Sequence, residues 1–386
     1  MKKSNELKFK ALVICIAFIA ICFVGCNNDD GPSVPTTKEF AGSQTCQQCH
    51  SEIYSIFVES GHPYKLNKVE GKAPTYPWTT LSHLPSGTGG AYTWNDVSWV
   101  IGGYGWKARY VDEDGYIVTT DDSQYNYENQ SIVGYHSDED EGTKKYDCGR
   151  CHTTGWKSVA DGASPKDGLP GMDGDFFAGG VHCEECHGVG NIHAVTEKAS
   201  DISIDKTAAA CGSCHYRNED HSIAASGGFI KHHEQYDEMI SGSHASKECI
   251  ACHDPHASVK YDSQAKGIGT TTECKDCHDG AKYADANIHN GATCVDCHMG
   301  KASKSAIATN DGLNGDLKTH IFDINPAADG NTTFFSADGS KANVDGKGVP
   351  LNFICYTCHK NEDGVGGPNS QRSMAQLSAK ATGFHD

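Results

Sequence analysis

Residues 148–156 read CGRCHTTGW, and residues 180–193 read GVHCEECHGVGNIH. Each stretch contains Cys-x-x-Cys-His, two thiols three positions apart followed at once by an imidazole. Six further copies occur, as CQQCH (46–50), CGSCH (211–215), CIACH (249–253), CKDCH (274–278), CVDCH (294–298) and CYTCH (355–359). Of the 19 cysteines, Cys15, Cys22 and Cys26 lie near the N-terminus, and the other sixteen all fall in these eight units.

The spacing has a chemical reason. Two thiols so placed reach both vinyl groups of one heme and form two thioethers, and the histidine that follows becomes the proximal iron ligand. A single Cys-x-x-Cys also suits zinc or a redox disulfide. Neither needs a histidine after the second cysteine eight times over. The reading is therefore eight covalently attached hemes c. The thioether pairs are Cys46 and Cys49, Cys148 and Cys151, Cys183 and Cys186, Cys211 and Cys214, Cys249 and Cys252, Cys274 and Cys277, Cys294 and Cys297, and Cys355 and Cys358. The proximal ligands are His50, His152, His187, His215, His253, His278, His298 and His359.

Of 21 histidines, eight are proximal and thirteen remain, against four methionines beyond the first residue: Met172, Met239, Met299 and Met374. That surplus predicts mostly bis-histidine hemes, which are low in potential and have no open site, because methionine is the ligand that raises it. Local sequence picks out the distal candidates. His256 stands in CHDPH, too near His253 to cross the same heme, so it serves a neighbour. His193 follows a glycine pair that turns the chain sharply. His244 and His289 each lie five residues before a motif cysteine. His62 ends SEIYSIFVESGH, whose first part reads as a short helix with apolar positions 53, 56 and 57. His320 lies in GDLKTHIFDINP, and one of His232 and His233 is a further candidate. For the eighth position His136, His221 and His182 compete, with His136 preferred because it precedes CGRCH.

Several of these stretches carry a family resemblance. GSQTCQQCHSEIYSIFVESGH, CGRCHTTGW and GVHCEECHGVGNIH resemble the multiheme family that contains the tetraheme cytochromes of ammonia oxidisers. Hydroxylamine oxidoreductases and octaheme tetrathionate and nitrite reductases are related to it. CIACHDPH and CVDCHMG resemble recurrent motifs there. The resemblance covers most of residues 41–325 and implies a heme-packed fold of mainly short helices and loops. It also implies distal roles for His193, His62, His256 and His320. It does not specify an activity. No CxxCK occurs, so the lysine-ligated heme of related nitrite reductases is absent in that form, and Met299 is followed by Gly300 where reductases often have proline.

Charge and export narrow the setting. Thirty-two basic residues against 50 acidic ones give −18 at pH 7. That balance speaks against nucleic acid, which needs a basic face. Sixteen paired thiols argue against a reducing cytosol. Lys2, Lys3, Lys8 and Lys10 precede the apolar run Ala11–Gly25, shorter than the ~20 residues of a spanning helix. Phe23-Val24-Gly25-Cys26 resembles a lipobox, making Cys26 the lipid anchor, and Asn27 favours the outer membrane. Removing residues 1–25 takes four lysines and Glu6, leaving 28 basic against 49 acidic residues, or −21.

The expected organisation is a signal peptide (1–25), a lipoprotein tether (26–40), the first heme with an aromatic β-rich insert (41–147), a six-heme core (148–325), and a loop with the eighth heme (326–386). The insert holds four of five tryptophans and eleven of sixteen tyrosines. KARYV–DEDG–YIVTT reads as a hairpin turning at Gly115. A second hairpin is expected at Thr332–Phe335. DEDG and SDEDEG offer carboxylates to calcium but lack an EF-hand loop.

Two functions follow. One is electron transport along a chain of bis-histidine hemes, with other redox proteins as partners and self-assembly into a polymeric wire as one form. The alternative is a multiheme oxidoreductase acting on nitrite, hydroxylamine or tetrathionate at one open heme. They part on whether any iron lacks a second protein ligand.

Overall fold

The computed structural model describes residues 33–279, 289, 291–360 and 372–385. The expected signal segment and Cys26 lie outside the described residues. Among the described residues no helix is long and apolar enough to cross a membrane. The helices are four to eight residues long: α1 (Ser43–Gln47), α2 (Ser51–Phe57), α3 (Gly149–His152), α4 (Cys183–His187), α5 (Asn191–Thr196), α6 (Ala208–Gly212), α7 (Gln235–Ile240), α8 (Cys294–His298), α9 (Gly330–Phe334) and α10 (Met374–Ala381). Helices so short gain little from their own hydrogen bonds and depend on what they pack against.

Two small sheets supply most of the regular packing. The first has five strands in sequential order: β1 (Leu66–Lys68), β2 (Val97–Gly102), β3 (Lys107–Asp112), β4 (Gln124–Asn126) and β5 (Ile132–Val133), all antiparallel. Alternation places Ala108 and Tyr110 of β3 in the interior. After β3 the chain turns at Gly115, whose φ is +88° and whose N–H donates to the Asp112 carbonyl. Val111 then pairs with Ile117, and Val118 donates to Tyr110. The DEDG turn thus forms where the sequence places it, and pairing with β3 resumes at Gln124–Asn126.

The second sheet runs β8 (Ser303–Lys304), β7 (Phe229–Lys231), β6 (Ile223–Ser226), β9 (Lys341–Ala342), with β7 and β8 parallel. It carries an apolar core of Ile223, Phe229, Ile230, Ile321, Phe334, Val349 and Phe353. Phe334 belongs to α9, so Thr332–Phe335 is not the hairpin expected from sequence. Thr332 donates both its N–H and its hydroxyl to the Asp329 carbonyl, which closes a helical turn and swings Phe334 fully into the core.

One glycine fixes how the second Cys-x-x-Cys-His unit sits. A Cβ at Gly149 would lie 1.9 Å from the Trp156 ring, so only glycine lets the indole cover this turn. Gly149→Ala is expected to cost about 1–3 kcal/mol through overpacking, read as a lower midpoint in denaturant unfolding. An unchanged midpoint would show that Trp156 is free to move aside.

Candidate heme-binding sites

Each Cys-x-x-Cys-His unit is one tight helical turn. The histidine N–H returns to the first cysteine carbonyl at 2.8 Å in His50, 3.0 Å in His215, His253 and His359, and 2.9 Å in His278. A single turn of this kind brings residues three and four apart onto one side. All sixteen thiols are free of disulfides.

Four of the motif-histidine rings are oriented from behind. Nδ1 of His187 bonds the Ser203 carbonyl at 2.8 Å, that of His253 the Gly269 carbonyl at 3.2 Å, and that of His298 the Phe322 carbonyl at 2.9 Å. Nδ1 of His215 bonds Gln235 Oε1 at 3.0 Å. With Nδ1 donating, Nε2 is left as the ligating nitrogen, the usual arrangement behind a metal-bound imidazole.

In front of these rings stand other histidines. His50 faces His193 with ring centres 6.3 Å apart, and His187 faces His256 at 6.2 Å. His253 faces His320 at 6.1 Å, His278 faces His244 at 6.0 Å, and His359 faces His289 at 6.2 Å. His298 faces His385 at 5.8 Å. The separations are too wide for a nitrogen–nitrogen hydrogen bond. They match two imidazoles on one metal, since metal–nitrogen bonds of about 2.0–2.1 Å put the ring centres about 6 Å apart. The residues present therefore fit bis-histidine heme. Distal rings are steered too: Nδ1 of His193 bonds the Lys198 carbonyl at 2.9 Å, and that of His256 bonds Asp254 at 3.0 Å.

The second and fourth units share a neighbourhood. His233 lies 6.0 Å from His152 and 5.9 Å from His215, on a backbone with φ +75° that a non-glycine residue adopts only under constraint. His232 touches it at 4.3 Å. His62 is close enough to His215 to feel its charge and lies beside the Pro255 carbonyl. Burial, then Lys65, then His215 push the His62 imidazole down to about 3.

His152 has a distinct surround. Its Nδ1 is buried with no hydrogen-bond partner. Burial lowers its pKa to about 3, followed by the charges of Lys65, Arg109, Lys107 and Arg217. The Arg109 guanidinium lies 3.4 Å over the Tyr135 ring, and its Nε donates to Gln124 at 2.7 Å. Lys107 donates to the Ser305 carbonyl. Arg217 meets the fully buried Glu234 at 3.0 Å.

Thiols of different units also meet. Cys46 lies beside Cys183, Cys151 beside Cys214, Cys211 beside Cys249, and Cys274 beside Cys294. Cys186 interacts with Cys211, Cys252 with Cys277, and Cys297 with Cys358. Ordered by these neighbouring thiols, the units run one, three, four, five, six, seven, eight, with unit two a branch at unit four.

The remaining candidates stand elsewhere. His136 pairs with Glu139 at 2.7 Å and sits edge-on to Tyr135. His182 bonds Ser43 and the Gly179 carbonyl, and His221 bonds the buried Asp237 at 2.9 Å. His385 was not singled out from sequence, because no motif or turn signal surrounds it.

Three comparisons with known proteins bear on this arrangement. Residues 116–188 match the family model described as cytochrome c554 and c-prime. No curated protein matches the chain. Among solved structures the chain is similar to the octaheme sulfite reductase MccA of Wolinella succinogenes, at 18% identity over 91% of this chain and 72% of that one, with a TM-score of 0.54. It is also similar to the outer cell wall cytochrome OcwA, at 17% identity over 88% and 86% with a TM-score of 0.49. The undecaheme cytochrome from the S-layer of Carboxydothermus ferrireducens matches at 16% identity over 85% and 51%, with a TM-score of 0.40.

Glu184, inside the third unit, holds the first. Its buried carboxylate accepts N–H groups from Ala41 at 2.7 Å, Gly42 at 2.8 Å and Gly190 at 2.7 Å, and Gly42 caps α1. Glu184→Ala is expected to cost roughly 1.5–3 kcal/mol and to raise amide exchange across residues 38–45. Unchanged exchange there would rule out this clasp.

Proposed function

We propose, for a chain with the fold of multiheme c-type cytochromes, that it carries eight covalent hemes c and passes electrons along them. The thioether cysteines are the sixteen of the Cys-x-x-Cys-His units, and the proximal ligands are their histidines. The observation that carries the reading is the repeated facing of a motif histidine by a second histidine near 6 Å. We assign His193 opposite His50, His256 opposite His187, His320 opposite His253, His244 opposite His278, and His289 opposite His359. His62 serves His215, which leaves His233 to His152. Bound this way, heme supplies one-electron chemistry at low potential. The residues supply everything else. Paired imidazoles deny the iron a site for substrate, backbone carbonyls set the ligand nitrogens, and the succession of neighbouring units gives a path with one branch.

The setting is an exported lipoprotein held at the outer membrane by Cys26, periplasmic or cell-surface, exchanging electrons with other redox proteins. Self-assembly into oligomers or filaments is a form this reading admits.

A second reading has its own observation. Lys65, Lys107, Arg109 and Arg217 surround His152, and His233 is equally near His215. If His233 serves His215, the Arg109 and Arg217 guanidinium groups, with Lys65 and Lys107 whose ammonium groups burial pushes down, lie beside an open heme, which suits reduction of a small anion. One of the similar structures is an octaheme sulfite reductase.

Electron paramagnetic resonance separates the two. The oxidised protein is expected to show low-spin ferric signals throughout, unmoved by sulfite, nitrite, hydroxylamine or tetrathionate. A high-spin heme that shifts with one of them, with turnover, would replace electron transport by the reductase.

A further inference from the structure

Seven histidines chosen from sequence supply seven distal positions, and the unit left without one is the seventh, Cys294–His298. We infer that its iron ligand is His385, delivered by the segment that follows α10. This rests on the bis-histidine reading proposed above and settles which residue completes it.

The geometry is that of the other pairs. His385 and His298 have ring centres 5.8 Å apart and planes inclined by only 20°, close to the near-parallel His50–His193 and His187–His256 pairs. His298 is anchored from behind by the Phe322 carbonyl at 2.9 Å, so its ligating nitrogen points toward His385.

The delivering segment is built for position. Ser373 opens α10 with a reciprocal capping box with Gln376, which fixes where the helix begins. Leu377 is its buried anchor and ties the helix to the body of the fold. Beyond the helix, Phe384 packs on His289 at 5.6 Å while His385 faces His298. His289 in turn faces His359. One dipeptide therefore reaches two neighbouring units, whose thiols Cys297 and Cys358 also interact. The competitors for this role are engaged elsewhere: His136 with Glu139, His221 with Asp237, and His182 with Ser43 and Gly179.

The test compares the heme-loaded, full-length protein with His385→Ala, counting high-spin and low-spin ferric hemes by magnetic circular dichroism. One heme in eight is expected to turn high-spin, and added imidazole should return it to low-spin, which a misfolded variant would not do. His385→Met should keep that heme low-spin and raise the potential of one heme in a redox titration. An unchanged spin count in His385→Ala overturns the assignment, as does the same change appearing in His136→Ala or His221→Ala instead. A high-spin heme already present in the unsubstituted protein would count against the all-bis-histidine reading. The His385 assignment is read separately, on the difference between variant and parent.

Discussion

An imidazole pair about 6 Å apart is the constraint on which this fold depends. One member comes free with the Cys-x-x-Cys-His turn, where a single short helix presents two thiols and a histidine together. The other must be carried in from a distant stretch and aimed to within a fraction of an ångström. The rest of the architecture serves that delivery. Helices of four to eight residues, sharp turns and two modest sheets are enough when each element has only to place one ring.

Electrostatics divides along the same lines. The chain is acidic overall, yet His152 feels the charges of Lys65, Arg109, Lys107 and Arg217. Charge of this kind is costly to enclose without a partner. Glu234 answers Arg217, and the Tyr135 face answers Arg109. Negative groups of a bound heme, or a small anion, would answer the rest, so this corner is where the two functional readings meet.

What could be read in the sequence was what is local. Two thiols and a histidine within five residues announce themselves, and so does the Asp-Gly turn before Gly115. His193 and His256 were legible because each follows a motif within a few residues. His385 was not, because its place opposite His298 depends on a fold that returns the chain there over a long span of sequence. His136 instead meets Glu139 at 2.7 Å, a contact as local as any motif but without a distinctive pattern. Thr332–Phe335 had strand-forming residues, yet the Asp329 carbonyl and the core's demand for Phe334 drew it into a helix. Tertiary context overrode propensity there.

The crossing of partners between units has a consequence for biogenesis. Chains are made from the N-terminus, at about 5–20 residues per second. His244 and His289 precede the units they face, so the sixth and eighth sites find their second imidazole already made. His50, His187 and His253 instead precede His193, His256 and His320, and must wait for them. During that interval these early units stand without the ring that faces them in the finished fold. The order in which the polypeptide is made thus sets which motif histidines wait for a facing ring, and for how long.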